Sequence, residues 1–468
     1  MTDRLGEECG VFGIWGCEEA AAHTVLGLHA MQHRGQEAAG IVSLQKDTFH
    51  CQKHSGLVGD AFSSEDVMGQ LPGVSAIGHV RYSTTGDSSA QNIQPFYAEL
   101  FNGPVALAHN GNLTNALTLR RDLVQKGHIF HSSSDTEVLL HLMARPQEFS
   151  GSWKETLKHA LLQIEGAYSL VMLTRGALYG IRDPWGLRPL VLGQRNGTFV
   201  LASESCALDI MGATLIRDVA PGELITIDAS GMKSEILLPK APSKFCIFEY
   251  IYFSRPDSVL EGNSVYEVRK NIGRYLAGEN PVAADVVVPV PDSGVPAALG
   301  YAEHSGIPFD LGIIRNHYVG RTFIEPTQSI RLLGVKLKHN PNKMFLQGKR
   351  VILVDDSIVR GTTSMKIVSM VRSAGATEVH MRIASPPTTH SCFYGVDTPS
   401  RDHLMAAHLS TQAMAEKIGV DSLAFISLDG LYRAVGQSGR DAGAPQYCDA
   451  CFTGDYPIAL TDVAKHLV

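Results

Sequence analysis

The branched apolar run Val351-Ile352-Leu353-Val354, ending at the adjacent carboxylates Asp355 and Asp356, constrains this chain more than any other stretch. A run without alternation predicts a strand buried on both faces, as in a parallel sheet. A short loop follows with Ser357, Arg360, Gly361, Thr362 and Thr363, and then helical spacing from Met365 to Ala374. Strand, loop and helix in that order place the loop at the carboxyl edge of a parallel sheet, where open α/β folds bind ligands. Gly361 lets the backbone approach a phosphate, and the next amides with two threonine hydroxyls can cradle it at a helix N-terminus. Asp355 and Asp356 would repel a bare phosphate, so they suit ribose hydroxyls and a hard divalent cation such as Mg2+. A merely capped strand needs one acid and leaves Arg360 to Thr363 unexplained.

This stretch resembles the phosphoribosyl pyrophosphate (PRPP) motif of type I phosphoribosyltransferases. The resemblance implies that Asp355 and Asp356 hold ribose and Mg2+ and that Arg360, Gly361, Thr362 and Thr363 hold the 5-phosphate. A second strand with a polar end, Asp285 to Gly294, precedes a helix expected over Val295–Ser305. Alone it reads as a capped strand-to-helix turn. Paired with the first motif, it matches the pyrophosphate loop, with Asp292, Ser293 and Gly294 at PRPP and Ser293 also on the Mg2+ side. Between the two motifs runs a long polar stretch, basic towards its end, from Asn316 through Arg331, Lys336 and Lys338 to Pro341. It is expected to act as a lid over 317–340, with Arg331 and Lys336 as candidate pyrophosphate contacts.

The N-terminal half has a different texture. From Ile41 to Leu238, short strand-like runs alternate with turns, and helices are expected near Leu113–Lys126, Asp135–Met143 and Trp153–Ile164. Strands flanked by a few helices suggest a layered sandwich rather than βαβ repeats. Its candidate chemistry is scattered. Cys9 opens a small-residue strand, and Arg81 could clamp a carboxylate bidentately. Asn110 and Gly111 could form an oxyanion hole, and Asp135 offers a carboxylate at a helix start. Each has a plainer reading that is stronger in isolation: a buried cysteine, a surface arginine, an Asn-Gly hairpin turn, and a Ser134/Glu137 capping box.

Read together, Cys-Gly-Val-Phe-Gly, Gln-His-Arg-Gly-Gln-Glu, His-Val-Arg-Tyr, His-Asn-Gly-Asn-Leu and Ser-Asp-Thr-Glu resemble, in order, the class II or N-terminal nucleophile glutamine amidotransferase domain. The resemblance implies Cys9 as nucleophile, Arg81 and Asp135 on the glutamine carboxylate and amino group, and Asn110 with Gly111 on the oxyanion. The Asp183-to-Leu190 segment is also similar to the family and is expected to be structural. In such enzymes the free α-amine of the cysteine, with a pKa of about 8, serves as general base. Cys9 is not the second residue, so residues 1–8 are expected to be a propeptide.

Eight cysteines occur in 468 residues, and no apolar signal core or membrane-length run is present. That favours metal or catalytic roles over disulfides and a cytoplasmic setting. The net charge of −7 argues against a broad nucleic-acid surface. Cys448-x-x-Cys451 with Cys246 and Cys392 suits either a closed zinc site or a four-iron cluster, and spacing leaves the two level. Cys17, Cys51 and Cys206 are expected in the core.

The Tyr-Val-Gly-Arg-Thr-Phe-Ile segment from Tyr318 to Ile324, with both halves, resembles the glutamine PRPP amidotransferases over nearly the whole chain. It is closest to their propeptide-containing, iron–sulfur branch, which implies a 4Fe–4S cluster on Cys246, Cys392, Cys448 and Cys451. The expected domains are a propeptide at 1–8, a glutaminase αββα sandwich at 9–238, a linker at 239–244 and a phosphoribosyltransferase α/β domain with parallel sheet at 245–468. The implied reaction converts glutamine and PRPP to 5-phosphoribosylamine, pyrophosphate and glutamate, the first committed step of purine synthesis, with ammonia passed between the sites. A homotetramer inhibited by purine nucleotides is expected. Another amidotransferase would leave the PRPP motif idle, and a non-catalytic PRPP-sensing regulator would leave the glutaminase residues idle.

Overall fold

A computed structural model describes residues 9–82, 90–144, 152–316 and 339–463. The expected propeptide and nearly all of the expected lid, with Arg331 and Lys336, lie outside the described residues.

Two antiparallel sheets form the centre of the N-terminal half. The first runs in the spatial order Thr214–Asp218, Val191–Arg195, Thr198–Ala202, Gly10–Ile14, Ser75–Arg81, Ala38–Gln45, Thr48–Ser55. The second runs Gly231–Ile236, Glu223–Asp228, Ala177–Arg182, Gly166–Thr174, Gly103–Leu113, Phe96–Leu100. Strand alternation explains the layering, because successive side chains point to opposite faces. Val11 packs between the sheets with Ile77, Ala106, Val171 and Leu178. Its neighbour Phe12 packs outward with Leu28 of the helix Ala20–Ala30. On the far side, helices Ala116–Gln125, Thr136–Met143 and Trp153–Leu161 cover Val105 and Leu107 with Leu123, Leu139 and Leu157. These four layers are the expected αββα sandwich, and each fully buried side chain of this size contributes roughly 1.5–3 kcal/mol.

The C-terminal half holds four parallel strands side by side: Val286–Pro289, Arg350–Asp355, Glu378–Ile383 and Ser422–Phe425. The branched run has neighbours on both sides, which is why it carries no alternation. Ile352 and Val354 pack with Ile272 of helix Val265–Glu279 and Ala298 of helix Val295–Ser305. Val351 and Leu353 face Ile367 of helix Thr362–Ser373 and Met414 of helix Thr411–Ile418. The helix after the acidic loop begins at Thr362, a turn earlier than the apolar spacing indicated, because Gly361 caps it in the left-handed region. Residues 239–244 form no regular element.

A buried ionic knot ties the halves together. Arg34 donates to Glu204 and, at 2.6 Å, to Glu249, and His33 sits 2.6 Å from Glu204. Removing Arg34, Glu204 or Glu249, all fully buried, costs about 3–5 kcal/mol, since the other charges stay behind uncompensated. Among the described residues, no helix is long and apolar enough to cross a membrane.

Candidate active site

Cys9 lies immediately before strand Gly10–Ile14, whose antiparallel register pairs Gly10 with Val80. That register sets Cys9 beside Arg81, the last residue of the neighbouring strand. The Cys9 thiol donates to the Tyr82 carbonyl at 3.5 Å. Burial pushes it up to about 11, against the pull of that carbonyl contact and of the Arg81 charge. The thiol is therefore protonated at neutrality, and a base must remove its proton before it can attack. Arg81 is buried rather than superficial, which corrects the plain reading of it as a surface arginine.

Asn110 and Gly111 do not form a hairpin turn. They sit inside the long strand Gly103–Leu113, paired with Ser169 and Tyr168. Asn110 is buried, donates to Ser203 Oγ at 3.3 Å, and its own Oδ1 has no partner among the described residues. Gly111 has φ +145°, and a Cβ there would stand 2.0 Å from the Ala167 carbonyl. Only glycine fits this position. The capping box is also absent. Glu137 turns back to accept from the His131 and Ser132 amides, each at 2.8 Å. Asp135 accepts from the Leu113 amide at 2.9 Å. Burial raises the Asp135 carboxyl, but the adjacent His109 ring, with the Leu113 amide and Thr136, outweighs it and holds the group below its usual range. It is a buried anion at neutral pH, one strand end away from the glycine.

On the other side, Asp355 and Asp356 are buried at the end of their strand. The Asp356 amide donates to Asp355 Oδ1 at 3.0 Å, and Ser357 Oγ donates to Asp356 Oδ2 at 2.6 Å. Gly361, at φ +78°, turns the chain so that helix Thr362–Ser373 starts at the loop, its N-terminal amides directed there. The companion loop is stitched to the same strand, with the Val290 amide donating to the Val354 carbonyl at 2.8 Å. A Cβ on Gly294 would stand 2.3 Å from the same carbonyl, so the two loops touch. Ser293 Oγ is buried with no partner among the described residues, whereas Asp292 is exposed and ion-paired with Arg315. Ser293, Asp355 and Asp356 thus present oxygen donors at one sheet edge, a set that suits Mg2+.

The two sites share a boundary. Asp397 accepts from Tyr82 and faces Arg360, while burial raises its carboxyl overall. Asn112 donates to the Phe393 carbonyl at 2.8 Å, and Gly395 packs against Gly111, so that an added Cβ would stand 3.1 Å from Gly111 Cα. One segment, 392–397, thus touches the glutamine side and the acidic-loop side.

The four cysteines of the C-terminal half converge. Phe245–Cys246 pairs in parallel with Tyr447–Cys448, which puts Cys246 beside Cys448. Burial raises the Cys246, Cys448 and Cys451 thiols, and each feels neighbouring thiols of the set, Cys392 included. The buried Arg188 guanidinium is within electrostatic reach of Cys246, Cys392 and Cys448 and would balance thiolate charge. Among the described residues, no three His, Cys, Asp or Glu side chains meet the spacing for one metal ion. Cys206 is buried and Cys17 half-buried, but Cys51 is exposed on the edge strand Thr48–Ser55, contrary to expectation.

Several partners escaped sequence reading. Ser203 accepts from both the Val11 amide and Asn110, and nothing in its neighbourhood marks it. His109, whose Nδ1 is 3.1 Å from Thr136 and 3.7 Å from Asp135, stood next to Asn110 and could have been weighed. The segment around Arg188 reads as structural in the sequence, and its nearness to the cysteines emerges only from the fold.

Residues 79–209 match a family model described as a glutamine amidotransferase domain. The chain is 57% identical over 466 residues to an amidophosphoribosyltransferase of Rhizobium etli, covering 98% of this chain and 94% of that one. It is 49% identical to an amidophosphoribosyltransferase of Bacillus subtilis, with 97% and 95% covered. A solved structure of the glutamine PRPP amidotransferase from B. subtilis, complexed with ADP and GMP, is similar with a TM-score of 0.91, 48% identity, and 98% and 99% covered. With identity this high over nearly the full length of both partners, the chain belongs to the amidophosphoribosyltransferase family.

Proposed function

We propose that this chain transfers the amide nitrogen of glutamine to PRPP in the cytoplasm, giving 5-phosphoribosylamine, pyrophosphate and glutamate at the start of purine synthesis. The observation that carries the reading is the assembly of Cys9, Arg81, Asn110, Gly111 and Asp135 at one boundary, which segment 392–397 joins to the Asp355–Thr363 loop.

Arg81 binds the glutamine carboxylate and Asp135 its ammonium group, which sets the side-chain amide at Cys9. The Cys9 sulfur attacks the amide carbon. Asn110 and the Gly111 amide stabilise the oxyanion of the tetrahedral adduct, which collapses to a thioester as ammonia leaves. Water then hydrolyses the thioester to glutamate and regenerates the thiol. A thiol raised to about 11 needs a local base. Removal of residues 1–8 would supply one as the α-amine of Cys9, whose pKa of about 8 suits neutrality.

Ammonia attacks C1 of PRPP and pyrophosphate leaves. Asp355 and Asp356 hold the ribose, and Arg360, Gly361, Thr362 and Thr363 hold the 5-phosphate at the helix start. Asp292, Ser293 and Gly294 line the pyrophosphate side. Mg2+, when bound by Ser293, Asp355 and Asp356, supplies charge neutralisation for the leaving pyrophosphate. Ammonia must reach C1 unprotonated, so a dry passage between the sites is expected, and the contacts of Gly395 and Asp397 with the glutamine side support a route there.

Four converging thiols beside a buried arginine support a 4Fe–4S cluster on Cys246, Cys392, Cys448 and Cys451, wider than a single ion and structural in role. The ADP and GMP of the B. subtilis complex support purine nucleotides as inhibitors. A homotetramer completes the reading.

The test is glutamate release from glutamine by anaerobically prepared protein, with and without Mg–PRPP. Strong stimulation with matching pyrophosphate is expected. Release indifferent to PRPP would point to another acceptor and overturn the coupled reaction.

A further inference from the structure

Helix Ala116–Gln125 lacks a cap of its own. Its N-cap residue Asn115 makes no capping bond, because its side chain is committed to the Gln163 carbonyl at 3.0 Å and the Glu165 amide at 3.0 Å. No acid stands in the first turn. The missing acceptor comes from far along the chain. Asp462 accepts from the Leu117 amide at 2.6 Å and from the Thr118 amide and hydroxyl at 3.0 and 2.6 Å. Its own amide donates to the Thr114 carbonyl at 2.9 Å. One residue therefore grips the 114–118 turn at both ends, satisfying first-turn amides and placing an acid at the positive end of the helix.

This turn continues the strand that carries Asn110 and Gly111, and the Leu113 amide just before it holds Asp135 Oδ2. The approach of Asp462 is itself anchored. Tyr394 donates to the Ile458 carbonyl at 2.6 Å and accepts from its amide at 3.0 Å, and Ile458 packs with Ala167, the residue against Gly111. We propose that Asp462 is a positioning residue for the glutamine site, fixing through the 114–118 turn the Leu113 amide that orients Asp135. The inference rests on the reading of Asp135 as the ligand of the glutamine amino group.

The test compares Asp462→Ala, Asp462→Asn and Asp135→Asn in the full chain, measuring glutamine-dependent and ammonia-dependent synthesis and amide hydrogen exchange over 113–119. Asp462→Ala is expected to raise the glutamine KM about three- to fivefold, with kcat little changed and the ammonia-dependent rate intact. Exchange over 113–119 should quicken. Asp462→Asn, which keeps an acceptor oxygen, should restore most of the KM. Faster exchange with an unchanged KM overturns the proposal, as does an equal loss of both activities, which would make Asp462 a structural strap only. Where Asp135→Asn raises the KM and Asp462→Ala does not, the positioning role fails alone. Where neither moves it, the reading of Asp135 fails as well.

Discussion

The residues assigned to PRPP lie mostly on one strand–loop–helix unit, Asp355 to Thr363, whereas those assigned to glutamine come from four segments between Cys9 and Asp135. The first site is built by local chain geometry. A strand delivers two acids, Gly361 turns the backbone, and a helix starts at the loop. The second is built by register: neighbouring strands set Cys9 beside Arg81, and a third strand in the facing sheet carries Asn110 and Gly111. A locally built site can be recognised from consecutive residues and should tolerate change elsewhere in the fold. A register-built site depends on every strand that fixes its members, as the bonds of Ser203 to Asn110 and of Leu113 to Asp135 illustrate.

The largest expected effect separates the two sites outright. Cys9→Ala should lower glutamine-dependent synthesis on the order of 10^4-fold while leaving synthesis from ammonia near the parent rate, read as pyrophosphate release with each nitrogen donor. A comparable loss with ammonia would mean that the sites are not separable. Asp356→Asn should act oppositely, cutting synthesis from both donors by roughly a few hundredfold. Selective loss with glutamine alone would remove Asp356 from the PRPP site.

The thiol offers a sharper comparison within one half. In protein retaining residues 1–8, Cys9 is raised to about 11 by burial, so it is a thiol below that pH and a thiolate above it. Its alkylation by iodoacetamide should be roughly 100-fold slower than that of a free thiol near pH 8 and should climb as pH rises towards 11. A small free thiol labelled in the same tube is the reference, because partial burial raises the Cys51 thiol despite its surface exposure, and equal reactivity of Cys9 and that free thiol at pH 8 would refute the buried-thiol account. After removal of residues 1–8, the reactive limb should move to near neutral pH. The smallest effect concerns binding alone: Asp135→Asn should raise the glutamine KM about 30-fold, the cost of one charged hydrogen bond, with the PRPP KM unchanged.

Legibility followed the same division. The strand Arg350–Asp355 and the helix Val295–Ser305 stood where periodicity placed them, because buried parallel strands and amphipathic helices write their environment into consecutive residues. Asn110 and Gly111 illustrate the opposite. By local propensity they are a hairpin turn, and the pairing of Gly103–Leu113 with Gly166–Thr174 overrode that propensity. The Ser134/Glu137 box failed for a similar reason, since the Glu137 carboxylate found two amides of the preceding turn.

By itself the sequence determined the two-part architecture, the acidic loop at a strand end and the ordered set of motifs that mark the family. These are properties of residue type and short spacing, settled by backbone sterics, burial periodicity and hydrogen-bonding inventory. Only the tertiary structure decided that Arg81 is buried, that Arg188 lies near three of the four cysteines, that segment 392–397 touches both sites, and that Asp462 caps a helix begun at Ala116. Each of those contacts joins residues far apart in the chain. Their energy arises only when desolvated groups meet, and no local pattern records which distant partner will arrive.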